Sequence, residues 1–404
     1  MPVTARRIGL GLVLASLAGT LLVGLAVKSP CASGDWGDGR AYSRFCYTDI
    51  VPLLGTEQLT GDRLPYIDAC EQSDGNCDEY PVLSMYTMRL AGWISNANPG
   101  YFYVNVILLS VAAVVVTVCL YLMVGPRALY FALAPTLAIY AYINWDLVAV
   151  ALAAVGTLAY LRRRDVWSGV FLGLGAAAKL YPALLVVPFV VGRFRSREPD
   201  RGIHLAWAAA GSWLAVNLPF MVAAPDSWWT FFGFNSRRAA DWDSLWFIAC
   251  ETVTGQGCVN VRAVTLGSLV SFVGLVAVVW WAKRARDPGF ARWTLGFPII
   301  VLFLLSNKVY SPQYSLWLLP WFAVALPNVR LFLAFEMADA AVFLARFSWF
   351  AELEGLGGVP LGTFEAAIIV RAAVLIACVV SWVRAREVEA EAVPSMATPI
   401  AARA

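Results

Sequence analysis

The chain is poor in the residues that keep a protein in water: of its 404 residues only 14% are charged, while 60% are hydrophobic. With a mean hydropathy of +0.67 it is more apolar than a soluble core requires, so most of it belongs in lipid. Histidine is nearly absent, with His204 alone, and the cysteine spacings are not those of a zinc site, which argues against structural zinc. Lysine is almost as scarce: Lys28, Lys179, Lys283 and Lys308 are the full set, and every other basic side chain is an arginine. The net charge is only +3 and the arginines form no long basic run, which excludes a nucleic-acid partner. No internal repeat is visible. No small-x-small cleavage site follows the first apolar stretch, so that stretch reads as an uncleaved span and not as a removed signal peptide.

What is there is a series of apolar runs. A helix needs ~20 apolar residues to cross a bilayer core, so the length and composition allow about a dozen spans. They fall at about 8–27, 99–124, 128–143, 145–161, 166–179, 182–191, 203–222, 261–282, 293–305, 314–326, 331–350 and 363–383. The segment 81–95 is short and carries Arg89, which predicts a helix lying at the outer interface. Residues 1–383 are then one membrane domain with large outer loops at 28–98 and 223–260, and 384–404 is a disordered cytoplasmic tail. This count places the arginine-rich loops, including Arg162 to Arg164 and Arg193 to Arg201, on the cytoplasmic side together with both termini. Cysteine supports the same topology. Cys31, Cys46, Cys70 and Cys77 fall in the first outer loop and Cys250 and Cys258 in the second, an even number in each, as disulfides require. Cys250 pairs with Cys258; three connectivities remain open for the other four.

The unusual polar residues collect at the outer ends of spans. Asp49 and Glu79 lie in the first outer loop, and Asn144 and Asp146 in the turn between the third and fourth spans. Lys179 and Tyr181 join the fifth and sixth spans; Arg237, Arg238, Asp241 and Asp243 follow the seventh; Lys308, Tyr310 and Gln313 join the ninth and tenth. The fifth span has 14 residues. That length rises about 21 Å, less than the ~30 Å hydrocarbon thickness, so its tip stops below the surface. A lysine at such depth costs ~2.5 to 3.5 kcal/mol, and Lys179, Lys308 and Asp146 are therefore expected to outline an outward-opening cavity. Lys179-Leu180-Tyr181-Pro182 and Lys308-Val309-Tyr310-Ser311-Pro312 are similar strings. A compact ammonium suits a phosphate, with Arg237 or Arg238 adding forked donors.

Plainer readings stand beside each of these. Either lysine can snorkel at a helix end, Asp49 can be a solvated loop acid, and Glu79 can cap the helix that starts at Pro81. Asp146 and Lys179 can form a buried structural bridge. Trp228, Trp229, Phe231, Phe232 and Phe234 read as an interfacial aromatic belt. Glu336, Asp339, Arg346, Glu365 and Arg371 read as ion pairs within the last two spans.

Six ordered strings carry a family resemblance: Tyr47-Thr48-Asp49-Ile50, Glu79-Tyr80-Pro81-Val82-Leu83, Ile143-Asn144-Trp145-Asp146-Leu147, the stretch 173–182, Val216-Asn217-Leu218-Pro219, and Asn307-Lys308-Val309-Tyr310-Ser311-Pro312-Gln313-Tyr314. Together they resemble glycosyltransferase family 87, part of the GT-C superfamily, which includes the mannosyltransferases that elongate phosphatidylinositol mannosides. The resemblance runs from about Asp49 to Gln313. It implies an all-α GT-C-type fold with about 12 membrane helices and interfacial helices in the outer loops.

The same resemblance implies transfer of a hexose, mannose being the family's best-known sugar, from a polyprenyl-phosphate donor with inversion at the anomeric carbon. Asp49 would be the catalytic base. Related eukaryotic enzymes carry Asp-x-Asp after a similar Tyr-Thr, whereas Val51 holds the second place here, so Asp49 would act alone. Lys179, Lys308 and Arg237 or Arg238 would bind the phosphate, Asn144, Tyr310 and Gln313 would contact sugar or phosphate, and Glu79, Asp146 and Tyr181 complete the substrate-binding set. Protein cations meet the phosphate in this scheme, so neither metal nor other cofactor is called for. The Arg-rich, Ala-rich composition points to a high-GC bacterium, with a cell-envelope glycolipid or glycan as acceptor and the site facing out from the plasma membrane. The competing class is a transporter or lipid flippase, against which the missing repeat and the one-sided polar strings count.

Overall fold

The computed structural model describes residues 8–70, 77–253, 255, 258 and 260–386, and the described residues contain helices and no strand. Arg6, Arg7 and the tail beyond Arg386 lie outside them. Every apolar run reappears as helix, but not always as one helix. The first half comprises α1 (Leu10–Lys28), α2 (Arg40–Ser43), α3 (Ile50–Thr56), α4 (Val82–Ile94), α5 (Gly100–Val124), α6 (Leu129–Ala132), α7 (Pro135–Tyr140), α8 (Asp146–Leu161) and α9 (Asp165–Ala178). The second comprises α10 (Tyr181–Arg195), α11 (Pro199–Ala223), α12 (Pro225–Arg237), α13 (Leu245–Ile248), α14 (Val261–Arg286), α15 (Gly296–Ser306), α16 (Leu319–Val324), α17 (Val329–Leu353) and α18 (Leu361–Arg384).

Among the described residues five segments are long and apolar enough to cross a membrane, Leu10–Cys31, Gly100–Ala132, Pro199–Ala223, Val261–Arg286 and Leu361–Arg384, which makes this a multi-pass membrane protein. The count of about 12 membrane helices is not reproduced one for one, because shorter apolar helices, Asp146–Leu161, Asp165–Ala178 and Arg292–Ser306, stand beside these five and some runs are broken. The third run breaks at Leu133 and Ala134, because Pro135 has no N–H to continue the ladder and opens α7 instead. The tenth run begins as a tight 3-10 turn, Pro312–Trp317, before α16. α17 has the length, with 25 residues, but carries Glu336, Asp339 and Arg346, all buried against protein.

Packing follows small residues. Gly169 and Gly173 face α11 so closely that a Cβ on either would stand 2.2 Å from a carbonyl oxygen of Leu205 or Ala209, or nearer still to Ser212. The four-residue spacing lets two helices approach as small-residue motifs do in membranes. In the first long loop, disulfides join Cys31 to Cys46 and Cys70 to Cys77, and in the second Cys250 joins Cys258. Arg89 is buried, and its guanidinium donates to the carbonyls of Leu59 and Gly61, tying α4 to the loop before it. Lys28 ends α1 fully buried and donates to Phe45 O at 3.3 Å and Tyr47 O at 2.9 Å, fixing the strand of loop that leads to Asp49.

Candidate active site

The turns and loops at one set of helix ends enclose a cavity of about 760 Å³. Asp49, Glu79, Asn144, Lys179, Tyr181, Arg238, Lys308 and Gln313 all line it, so eight of the residues singled out from sequence share one space. They arrive from separate elements: the start of α3, the segment before α4, the α7–α8 turn, the α9–α10 turn, the end of α12 and the α15–α16 connection.

Asp49 is held from both sides. Tyr47 Oη donates to its Oδ1 at 2.8 Å and Asn144 Nδ2 to its Oδ2 at 2.8 Å. The backbone is pinned as well, since Asp49 N donates to Ile143 O at 2.9 Å and Thr48 Oγ1 to Tyr142 O at 2.7 Å. Asn144 also donates to Tyr80 Oη at 2.8 Å. A carboxylate with two oriented donors is fixed in direction while its remaining lone pairs stay available to a ligand. Asp49 therefore is not a freely solvated loop acid.

Lys179 follows α9 in an extended conformation and lies 3.5 Å from Asp146 Oδ2. Asp146 is fully buried, does not line the cavity, and accepts a hydrogen bond at its other oxygen, Oδ1, from Trp317 Nε1 at 2.8 Å. The bridge reading thus holds for this pair. Trp317 stacks between Tyr181 at 4.3 Å and Tyr314 at 4.2 Å, and the Lys179 ammonium stands over Tyr80 and Tyr314 at 5.2 and 5.5 Å.

Lys308 has different company. Its Nζ donates to Ser236 O at 3.2 Å and Thr265 Oγ1 at 2.9 Å, both neutral, and no carboxylate among the described residues pairs with it. Burial, and then the Arg238 guanidinium, push its ammonium below the usual lysine range. Arg238 is paired with Asp241 at 2.9 Å, and Asp241 is also 3.7 Å from Arg346. Glu79 is half-buried and does not cap α4; burial raises its carboxyl, and Arg238 opposes the rise.

Besides Asp146, two sequence candidates are not brought to the cavity. Arg237 is exposed, packed beside Gly233, and Tyr310 is buried beneath the wall with the Arg371 guanidinium 3.8 Å from its ring. Conversely, Tyr47, Tyr80, Trp317, Trp242 and Arg346 line the cavity or brace it without having been singled out for it. Arg346 pairs with Asp243 at 2.7 Å across to the second long loop, and not within the last two helices as expected. Arg371 does pair there, with Asp339 at 3.2 Å. Phe231, Phe232 and Phe234 also face the cavity, which the belt reading did not foresee. Among the described residues no group of three His, Cys, Asp or Glu side chains is placed to hold a metal ion.

Membrane-length helices beside one roomy site of acids and cations define a multi-pass membrane protein built to hold a polar, charged ligand. The chain belongs to glycosyltransferase family 87, whose model matches residues 79–307. Asp49 precedes that match and Lys308 and Gln313 follow it, so their placement in the cavity comes from the structure alone. Among solved structures the chain is similar to ArnT from Cupriavidus metallidurans bound to undecaprenyl phosphate, at 14% identity and a TM-score of 0.46, covering 93% of this chain and 77% of that one. The apo state of the same ArnT gives 14% identity and a TM-score of 0.43, covering 92% and 76%. No curated protein sequence matches the chain.

Proposed function

We propose that this membrane glycosyltransferase is a GT-C-type enzyme that moves a hexose, mannose in the first instance, from a polyprenyl-phosphate donor to an envelope glycolipid or glycan. The observation that carries the reading is the cavity itself: a fixed carboxylate, Asp49, shares about 760 Å³ with Lys179, Arg238 and Lys308. That volume suits a sugar phosphate with room for a second ring.

In the reaction, an acceptor hydroxyl gives its proton to the Asp49 carboxylate as its oxygen attacks the anomeric carbon. The bond from that carbon to the phosphate oxygen breaks, and the polyprenyl phosphate leaves with the electron pair. Attack from the face opposite the leaving group inverts the anomeric centre. Lys308, free of any carboxylate, receives the charge that grows on the phosphate, with Arg238 able to turn toward it from Asp241. Lys179 serves the same field from the Asp49 side. With Lys308 and Arg238 on the leaving group, the proposal calls for no divalent metal.

The side of the membrane is part of the same reading. All three disulfides fall in the two loops that help build the cavity, and such bonds persist outside the cytoplasm. The arginine-rich turns lie at the opposite ends of the helices, which favours a cavity facing out.

The test is to incubate purified protein with labelled polyprenyl-phosphate mannose and native membrane lipids and to identify the product. A labelled glycolipid that disappears with Asp49→Asn supports the reading. Movement of the donor across a vesicle membrane without a product, unaffected by Asp49→Asn, would replace it with a transporter.

A further inference from the structure

Two turns away from the cavity carry a second cationic surface. The α8–α9 turn and the α10–α11 turn lie side by side, joined through acids: Asp165 accepts from Arg193 Nε at 2.6 Å and from Arg201 Nε at 2.6 Å, and Glu198 pairs with Arg163. Arg193 is buried, donates to Tyr160 O at 2.6 Å and lies 4.0 Å over the Tyr160 ring. This cage uses up Asp165 and Glu198 and fixes the two turns against each other.

Both turns close in the same way. Arg164 N donates to Ala159 O at 2.8 Å and Glu198 N to Arg193 O at 2.9 Å, the long bond of a Schellman motif. The residue at each centre is left-handed, Arg163 and Arg197, each with φ 59°. That conformation favours glycine. An arginine at both places keeps a charge where the backbone would accept no side chain more readily.

Four exposed arginines remain, Arg162, Arg164, Arg195 and Arg197, with no carboxylate partner among the described residues. Directly beside them the chain exposes apolar side chains, Trp167 at 59% and Phe194 at 50%. Exposed arginine next to exposed tryptophan and phenylalanine is a surface for a ligand with an anionic head and an apolar body. A soluble anion or a nucleic acid has no use for the apolar half. We propose that these two turns form a binding site for the phosphate headgroup of an anionic phospholipid, gripped by Arg162, Arg164, Arg195 and Arg197, with its acyl chains along Trp167 and Phe194. Arginine in all four places fits, because a guanidinium meets two phosphate oxygens at once. The proposal stands apart from the transfer reaction.

The full chain, purified in mild detergent, would be mixed with phosphatidylglycerol, cardiolipin or phosphatidylethanolamine and the retained lipid counted by native mass spectrometry. Anionic lipid is expected to be retained at least about tenfold over phosphatidylethanolamine. Replacing all four arginines by glutamine should abolish the preference. If that variant fails to insert, the fourfold Arg→Lys variant keeps the charge and should still lose about threefold or more, for want of paired donors. Arg284→Lys with Arg286→Lys, at the end of α14, should change nothing. Equal retention of anionic and zwitterionic lipid, an undiminished preference in the lysine variant, or the same loss in the α14 variant overturns the proposal. Displacement of the lipid by millimolar inorganic phosphate also overturns it, in favour of a free-anion site.

Discussion

The strings around Lys179 and Lys308 read almost alike, yet they end in different electrostatic states. Lys179 meets a buried carboxylate, Asp146, and a stack of aromatic rings; Lys308 meets a carbonyl and a hydroxyl. The tyrosines diverge as well. Tyr181 lines the cavity and stacks on Trp317, while Tyr310 turns inward to bond Ser315 at 3.1 Å over Arg371. A lysine already neutralised by a partner brings structure first and charge second. One held only by neutral oxygens keeps its charge for a ligand. The likeness of two motifs therefore does not make two equal phosphate sites.

The broadest way to test that division is at Asp49, on the Lys179 side. Asp49→Asn should lower transfer by about 10² to 10⁴-fold while leaving donor affinity intact, measured as kcat against donor Kd. Loss of donor binding in that variant would mean that the two ends are not separate. Next, Lys179→Ala strands a buried Asp146 and should destabilise the protein by about 3 to 5 kcal/mol. Adding Asp146→Asn removes that charge, keeps an acceptor for Trp317, and should restore most of the melting temperature in detergent. If Lys179→Ala instead leaves stability untouched and weakens donor binding, the pair is not structural.

Lys308→Ala should act the other way, with little change in melting and about 10²-fold lower kcat/KM through the leaving phosphate. Its pH dependence follows from the lowered ammonium. The charged form binds phosphate, and a lowered pKa means that the proton is lost earlier as pH rises. Donor affinity should thus fall on the alkaline side before an ordinary lysine would titrate, and Lys308→Arg should remove that fall. An alkaline limb that survives the arginine belongs to another group. Smallest of all, Tyr310→Phe deletes one buried hydrogen bond, worth about 1 kcal/mol of stability, and should leave donor affinity alone.

Much of the site was legible because membrane proteins restrict where polar residues can go. Asp49, Glu79, Asn144, Lys179, Arg238, Lys308 and Gln313 were identifiable as polar residues at helix ends, and they share the cavity. Arg237 and Arg238 could not be separated from each other in sequence, since neighbouring positions at the end of α12 point to different sides. Arg346 reads as part of an ion pair within the last two spans because its partners, Asp241 and Asp243, lie about a hundred residues earlier. The aromatic run of α12 was ambiguous for a related reason: a belt facing lipid and a wall facing a cavity have the same composition. Helix continuity was not legible where proline decides, at Pro135 and Pro312, since an apolar run of spanning length need not be one helix.

The sequence by itself determined that this chain crosses a membrane several times, that its two long polar loops hold even numbers of cysteines, and that few polar residues are left to make a site. Those are consequences of hydrophobic length and of counting, which need no knowledge of neighbours. Only the tertiary structure decided how Cys31, Cys46, Cys70 and Cys77 pair, that Lys179 is neutralised, and that neutral oxygens alone hold Lys308. Pairing depends on atoms that residues 146, 236 and 265 bring from distant parts of the chain, and nothing local to either lysine records them.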